Sequence, residues 1–152
     1  MKLATALSER ADIQRRLSQL QTRLNNNAKI QEGEEPAEDP KALLKELSAL
    51  LERLEWLMAK INLTNSSTVV NGKSITELLA ARDCLSKRLG IMRAFLDAAS
   101  AKTDRYSQKE IKVFSTVKVS ELQKELDAHS RALRQLDEQI QSLNWTTELI
   151  ER

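Results

Sequence analysis

KALLKELSALLERLEWLMAKINLTN, Lys41 to Asn65, decides the fold. Its apolar residues fall at Leu43, Leu47, Leu50, Leu54, Leu57 and Ile61, an unbroken 4-3-4-3-4 spacing that makes one seam along a helix. Leu44, Leu51 and Met58 form a second row beside it at seven-residue intervals. A single neighbour can bury one stripe, whereas two adjacent stripes need neighbours on more than one side. This helix is therefore expected to be central, and to stop in the polar run from Asn62 to Thr68.

Working outward, the periodicity predicts a first helix over about residues 2–26, with Leu3, Ala6, Ile13, Leu17, Leu20 and Leu24 as its seam and Arg10 interrupting it. Asn25-Asn26-Asn27 ends it, because asparagine accepts capping geometry more readily than it sustains a helix. The acidic segment from Gln31 to Pro40 reads as a solvated loop. Asp39 and Pro40 supply the N-cap and first-turn proline of the central helix. Beyond that helix, Val69-Val70 leads into Asn71-Gly72, a hairpin-turn signal, and a third helix follows with its seam interrupted at Arg82. Residues 111–118 alternate in strand fashion and are expected to pair with Val69-Val70. The last helix opens at Ser120 and carries His129 in its seam. The expected fold is mainly α: four long antiparallel helices in one helical-bundle domain over residues 1–152, with a small β element near 68–73 and 111–118.

The helices echo one another. At an offset of 72 residues Arg10 meets Arg82 and Leu17 meets Leu89; at an offset of 82, Ile61-Asn62 meets Leu143-Asn144 and Thr64 meets Thr146. Two pseudo-repeated helix hairpins are the reading, and Asn62, Thr64, Asn144 and Thr146 become a matched polar motif expected to close the helix ends.

Candidate chemistry is sparse. Arg10, Arg82 and His129 stand in apolar seams, and a desolvated guanidinium needs a carboxylate; Glu9, Asp12 and Asp83 are nearby. The structural reading is a polar layer that sets helix register. The functional reading is a small-anion site, in a binding protein or enzyme, formed by Arg10, Asp12, Arg82, Asp83 and His129. A di-iron site fails on ligand count, since position 126 is Leu and His129 is the single histidine. No glycine-rich phosphate loop or nucleophile elbow occurs. No catalytic residue, metal ligand or cofactor is assigned. Arg105, Tyr106, Lys109 and Lys112 form a small basic patch read as a loop anchor.

A net charge of +2, with both signs interspersed, gives no field for nucleic acid, and no apolar run is long enough to span a membrane. One cysteine, Cys84, excludes an internal disulfide and suits a reducing compartment. Acidic and basic residues interrupt the N-terminus before a signal-peptide core forms, so a soluble cytoplasmic protein is expected.

Glu9-Arg10-Ala11-Asp12, the segment Gln31 to Pro40, Ile61 to Asn65, Asp104-Arg105-Tyr106-Ser107 and Asn144 to Leu149 together resemble the septicolysin-like family of small bacterial proteins, over nearly the whole chain. The resemblance implies a mainly helical, self-associating protein. The family name implies a cytolysin, but no secretion signal, long amphipathic β-hairpin or tryptophan-rich loop bearing the cysteine accompanies it. A homo-oligomeric structural or interaction protein is the leading expectation, a small-anion binder or enzyme the alternative, and a membrane-lytic protein the third.

Overall fold

A computed structural model describes residues 1–101 and 111–152. The chain forms α1 (Leu3–Asn26), α2 (Pro40–Ser67), β1 (Val69–Val70), β2 (Lys73–Ser74), α3 (Ile75–Ser100) and α4 (Val119–Thr146). The protein is thus mainly helical, with one small antiparallel sheet. It divides into two compact units: residues 1–75 with 142–152, and residues 76–141.

In the first unit α1 and α2 pack against each other along their seams. Leu3, Ala6, Ile13 and Leu20 are buried on α1, and Leu43, Leu50, Leu57 and Ile61 on α2. The register is antiparallel and is fixed at the rim by three ion pairs: Glu9 with Arg53 at 2.7 Å, Arg16 with Glu46 at 3.9 Å and Arg23 with Glu38 at 2.6 Å. Continued inward, that register sets Leu20 level with Leu43, Ile13 with Leu50 and Ala6 with Leu57.

The helix ends follow local chemistry. Asn27 terminates α1 through its side chain rather than by left-handed geometry: its φ is −108°, its Nδ2 donates to Arg23 O at 2.8 Å and its Oδ1 accepts from Glu38 N at 3.0 Å. One amide thereby caps a helix and pins the acidic loop. Asp39 caps α2, accepting from Lys41 N at 3.1 Å, with Pro40 in the first turn.

α2 stops inside the polar run, as expected, at Ser67. Thr64 is fully buried in that last stretch, and its hydroxyl bonds to Lys60 O, so the run is helical despite its composition. One other expectation, the strand at residues 111–118, needs correction: those residues form none. Val69-Val70 pairs with Lys73-Ser74 across the Asn71-Gly72 turn, where both residues have positive φ, 53° and 81°. Alternation makes a strand only where a partner edge exists. Ile111, Val113 and Phe114 stay exposed, while Tyr106 and its neighbours Arg105 and Lys109 lie outside the described residues.

In the second unit α3 and α4 enclose a core of Leu89, Leu96 and Leu126, with Met92, Val119, Leu122 and Leu133 packed against it. Arg82 near Asp137 and Arg93 near Ser130 show that these two helices are also antiparallel.

Candidate functional site

The seam arginines, matched in sequence, differ in surroundings. Arg10 is half-buried on α1 and meets no carboxylate among the described residues. Its two sequence neighbours are engaged elsewhere: Glu9 reaches across to α2, holding Arg53 through two hydrogen bonds of 2.7 and 3.0 Å, and Asp12 pairs with Arg15 at 3.2 Å. Partial exposure leaves the Arg10 guanidinium hydrated, which removes the need for a buried counter-ion. Arg82, in the second unit, stands between Asp83 at 3.5 Å and Asp137 at 3.8 Å. His129 Nε2 lies 4.0 Å from Glu125 on its own helix. Asp137 and His129 are separated on α4 by roughly two turns, about 12 Å of axial rise, so Arg82 and His129 occupy different levels of that hairpin.

The polar helix-end motif splits the same way. Thr64 and Thr146 make equivalent bonds, each hydroxyl donating to the carbonyl four residues back: Lys60 O at 2.8 Å and Ser142 O at 2.9 Å. Only Thr64 is buried, and its oxygen also accepts from Ile150 N at 2.9 Å. Thr146 and Asn62 are exposed; Asn144 is half-buried.

Thr64 therefore belongs to a clasp invisible in the local pattern. The tail after α4 runs antiparallel to the first residues of the chain, with Lys2 bridged to Glu148, Leu3 N donating to Thr147 O at 2.9 Å and Leu149 N donating to Met1 O at 2.8 Å. Leu149 is buried beneath it, and Lys2 Nζ reaches Glu148 at 2.7 Å. That Lys2 hydrogen bond, with the nearby positive charge of the N-terminus, lowers the Glu148 pKa.

Two further polar contacts had no signal in the seams themselves. Arg53 also lies over the Trp56 ring, 4.6 Å from its centroid, and its bond to Glu9 lowers the Glu9 pKa. Arg23 likewise lowers the pKa of Glu38 and stands 3.6 Å from Glu46. A constant antiparallel register between opposite charges on α1 and on the segment from Glu38 into α2 is the signal that would have found these pairs.

The surface also carries large apolar side chains. Leu44, Leu51 and Met58, the second row of α2, are exposed by 51%, 46% and 45%. Lys41, Lys45, Glu52 and Glu55 border that row; all four are exposed, and none forms an ion pair among the described residues. On α3, Ile91 and Phe95 are also exposed, beside Lys87 and Arg88, and Phe95 with Phe114 lines an open hollow of about 300 Å³. No helix among the described residues is long and apolar enough to cross a membrane.

Comparison with known proteins places this architecture. The model of a family described as "Family of unknown function (DUF6847)" matches residues 10–149. The chain belongs to that family. The DUF6847 match begins at Arg10 and ends at Leu149, so it takes in both helix hairpins and the buried leucine of the clasp. A solved structure, the crystal structure of a functionally unknown conserved protein from Corynebacterium diphtheriae, is similar at 42% identity and a TM-score of 0.90, with 99% of each chain covered. No curated protein matches the sequence.

Proposed function

We propose that this protein is a self-associating structural or interaction protein, and that copies meet through the outer face of α2. One observation carries the reading. Leu44, Leu51 and Met58 repeat every seven residues on a helix whose other face is already buried against α1, yet each stays about half exposed. A regular heptad row left uncovered is a helix-pairing seam without its partner. The four charges along its border point to the same use, since they have no ion-pair partner among the described residues while Glu9, Arg16, Arg23, Glu38 and Glu46 on the α1 side are paired. The exposed α3 residues are a weaker candidate for pairing of like with like, because Lys87 and Arg88 beside them carry one sign and repel a second copy.

The self-association implied by the septicolysin-like resemblance agrees with this reading. A reducing, cytoplasmic setting is the natural one for a chain whose single cysteine, Cys84, is exposed. Sedimentation velocity at micromolar concentration is the test. A species of twice the chain mass is expected, and Leu51→Lys, which sets an ammonium in the middle of the row, returns it to a monomer. A wild-type monomer at those concentrations would sink the proposal.

A further inference from the structure

The outer face of α2 also dictates how two copies meet. At about 100° of turn per residue, the Leu44–Leu51–Met58 row has two unlike flanks. One carries Lys41, Lys45, Glu52 and Glu55; the other is the α1-facing seam represented by Leu47 and Leu54. Along the charged flank the signs are segregated, basic toward the N-terminal end of the helix and acidic toward the middle.

Two symmetric pairings exist for identical helices, and they bring different flanks together. A two-fold axis parallel to the helices makes a parallel pair, in which the charged flank of each copy faces the opposite flank of its partner. That flank is occupied by α1, and the lysines and glutamates would be set against apolar side chains. A two-fold axis perpendicular to the helices makes an antiparallel pair, in which each charged flank faces its own counterpart in reversed order. Basic ends then meet acidic middles.

We infer that α2 pairs antiparallel with the α2 of a second copy, about a two-fold axis near Leu51, with Lys41 and Lys45 of each chain directed at the partner's Glu52 and Glu55. Leu51 packs on its own symmetry mate, and Leu44 lies level with the partner's Met58. The four charges, unpaired among the described residues, acquire opposite charges in the pair. Like charges facing each other would disfavour slipped registers, so the charge pattern sets orientation and the apolar row supplies the attraction.

This inference rests on the self-association proposed above, and site-directed cross-linking separates the two. Leu44→Cys and Met58→Cys are each made in a Cys84→Ala background and oxidised mildly, alone and as an equimolar mixture. In the antiparallel pair position 44 sits next to the partner's position 58. Two copies of position 44 are instead about 21 Å apart along the axis, far beyond disulfide reach. Cross-linked dimer is expected in the mixture, with at least tenfold less in either variant alone. Efficient cross-linking of Leu44→Cys alone shows a parallel pair and overturns the inference while leaving self-association standing. A dimer by sedimentation that cross-links in none of the three samples places the contact on another face and overturns it as well. A monomer in every sample, wild type included, refutes the parent proposal.

Discussion

Replacing Thr64 by valine should loosen the joint between the two ends of the chain while leaving the helices intact. The side chain is fully buried, so the isosteric methyl fits the same space and creates no cavity. Two hydrogen bonds go. The one donated to Lys60 O costs little, because that carbonyl retains its helical partner. The one accepted from Ile150 N at 2.9 Å matters more, because the N–H of a half-buried residue loses its acceptor. A neutral hydrogen bond is worth about 1 kcal/mol net, and an orphaned donor about 1–3 kcal/mol, so a loss of about 1–2 kcal/mol is expected. Urea unfolding reads the total. Amide exchange reads the location: Ile150 should exchange at least about tenfold faster, with Leu149 and Leu3, whose backbone amides also donate across the clasp, following it. Thr64→Ser keeps the hydroxyl and should keep Ile150 protected, even if the missing methyl lowers overall stability. Protection of Ile150 unchanged in the valine variant would refute the role given to Thr64.

Other substitutions test the packing and the ion pairs. Leu57→Ala empties a fully buried position of the α1–α2 seam and should cost about 2–5 kcal/mol, whereas Leu51→Ala, half exposed, should cost the isolated fold under about 1 kcal/mol; urea midpoints measured at high dilution compare them. The depressed pKa values of Glu9, Glu38 and Glu148 mean that the unfolded chain takes up protons at higher pH than the folded one. Their stabilisation is complete above the ordinary glutamate value of about 4.3 and disappears as pH falls through the lower folded values, so stability should decline on acidification below pH 5. Glu9→Gln should flatten that decline, with an effect at neutral pH of under about 1 kcal/mol because the pair is partly exposed, and should converge on the wild type at pH values low enough to protonate Glu9. An equally steep acid limb in the variant would mean that the Arg53 pair does not contribute.

The helices were legible because their evidence is local. A 4-3-4 apolar ladder, an Asp-Pro entry and an Asn-Gly turn each act within a few residues, and α1, α2 and the β1–β2 hairpin lie where those signals put them. Residues 111–118 show the limit of the same logic. Their alternation is a real strand pattern, but a strand needs a neighbour, and no local rule supplies one. The seam arginines show it again. Sequence marks Arg10 and Arg82 as equivalent exceptions, yet one remains without a carboxylate partner among the described residues and the other sits between two carboxylates.

Thr64 and the α2 heptad row mark the division most clearly. Spacing along the chain is enough to give α2 two apolar stripes and to bring a threonine back 82 residues later, on α4. Which stripe α1 covers, and the second bond that Thr64 but not Thr146 receives from the returning tail, emerge when the chain folds. Covering a face and completing a hydrogen bond both depend on segments far apart in the chain. Burial is therefore set by what arrives from elsewhere, and periodicity can announce only that something must.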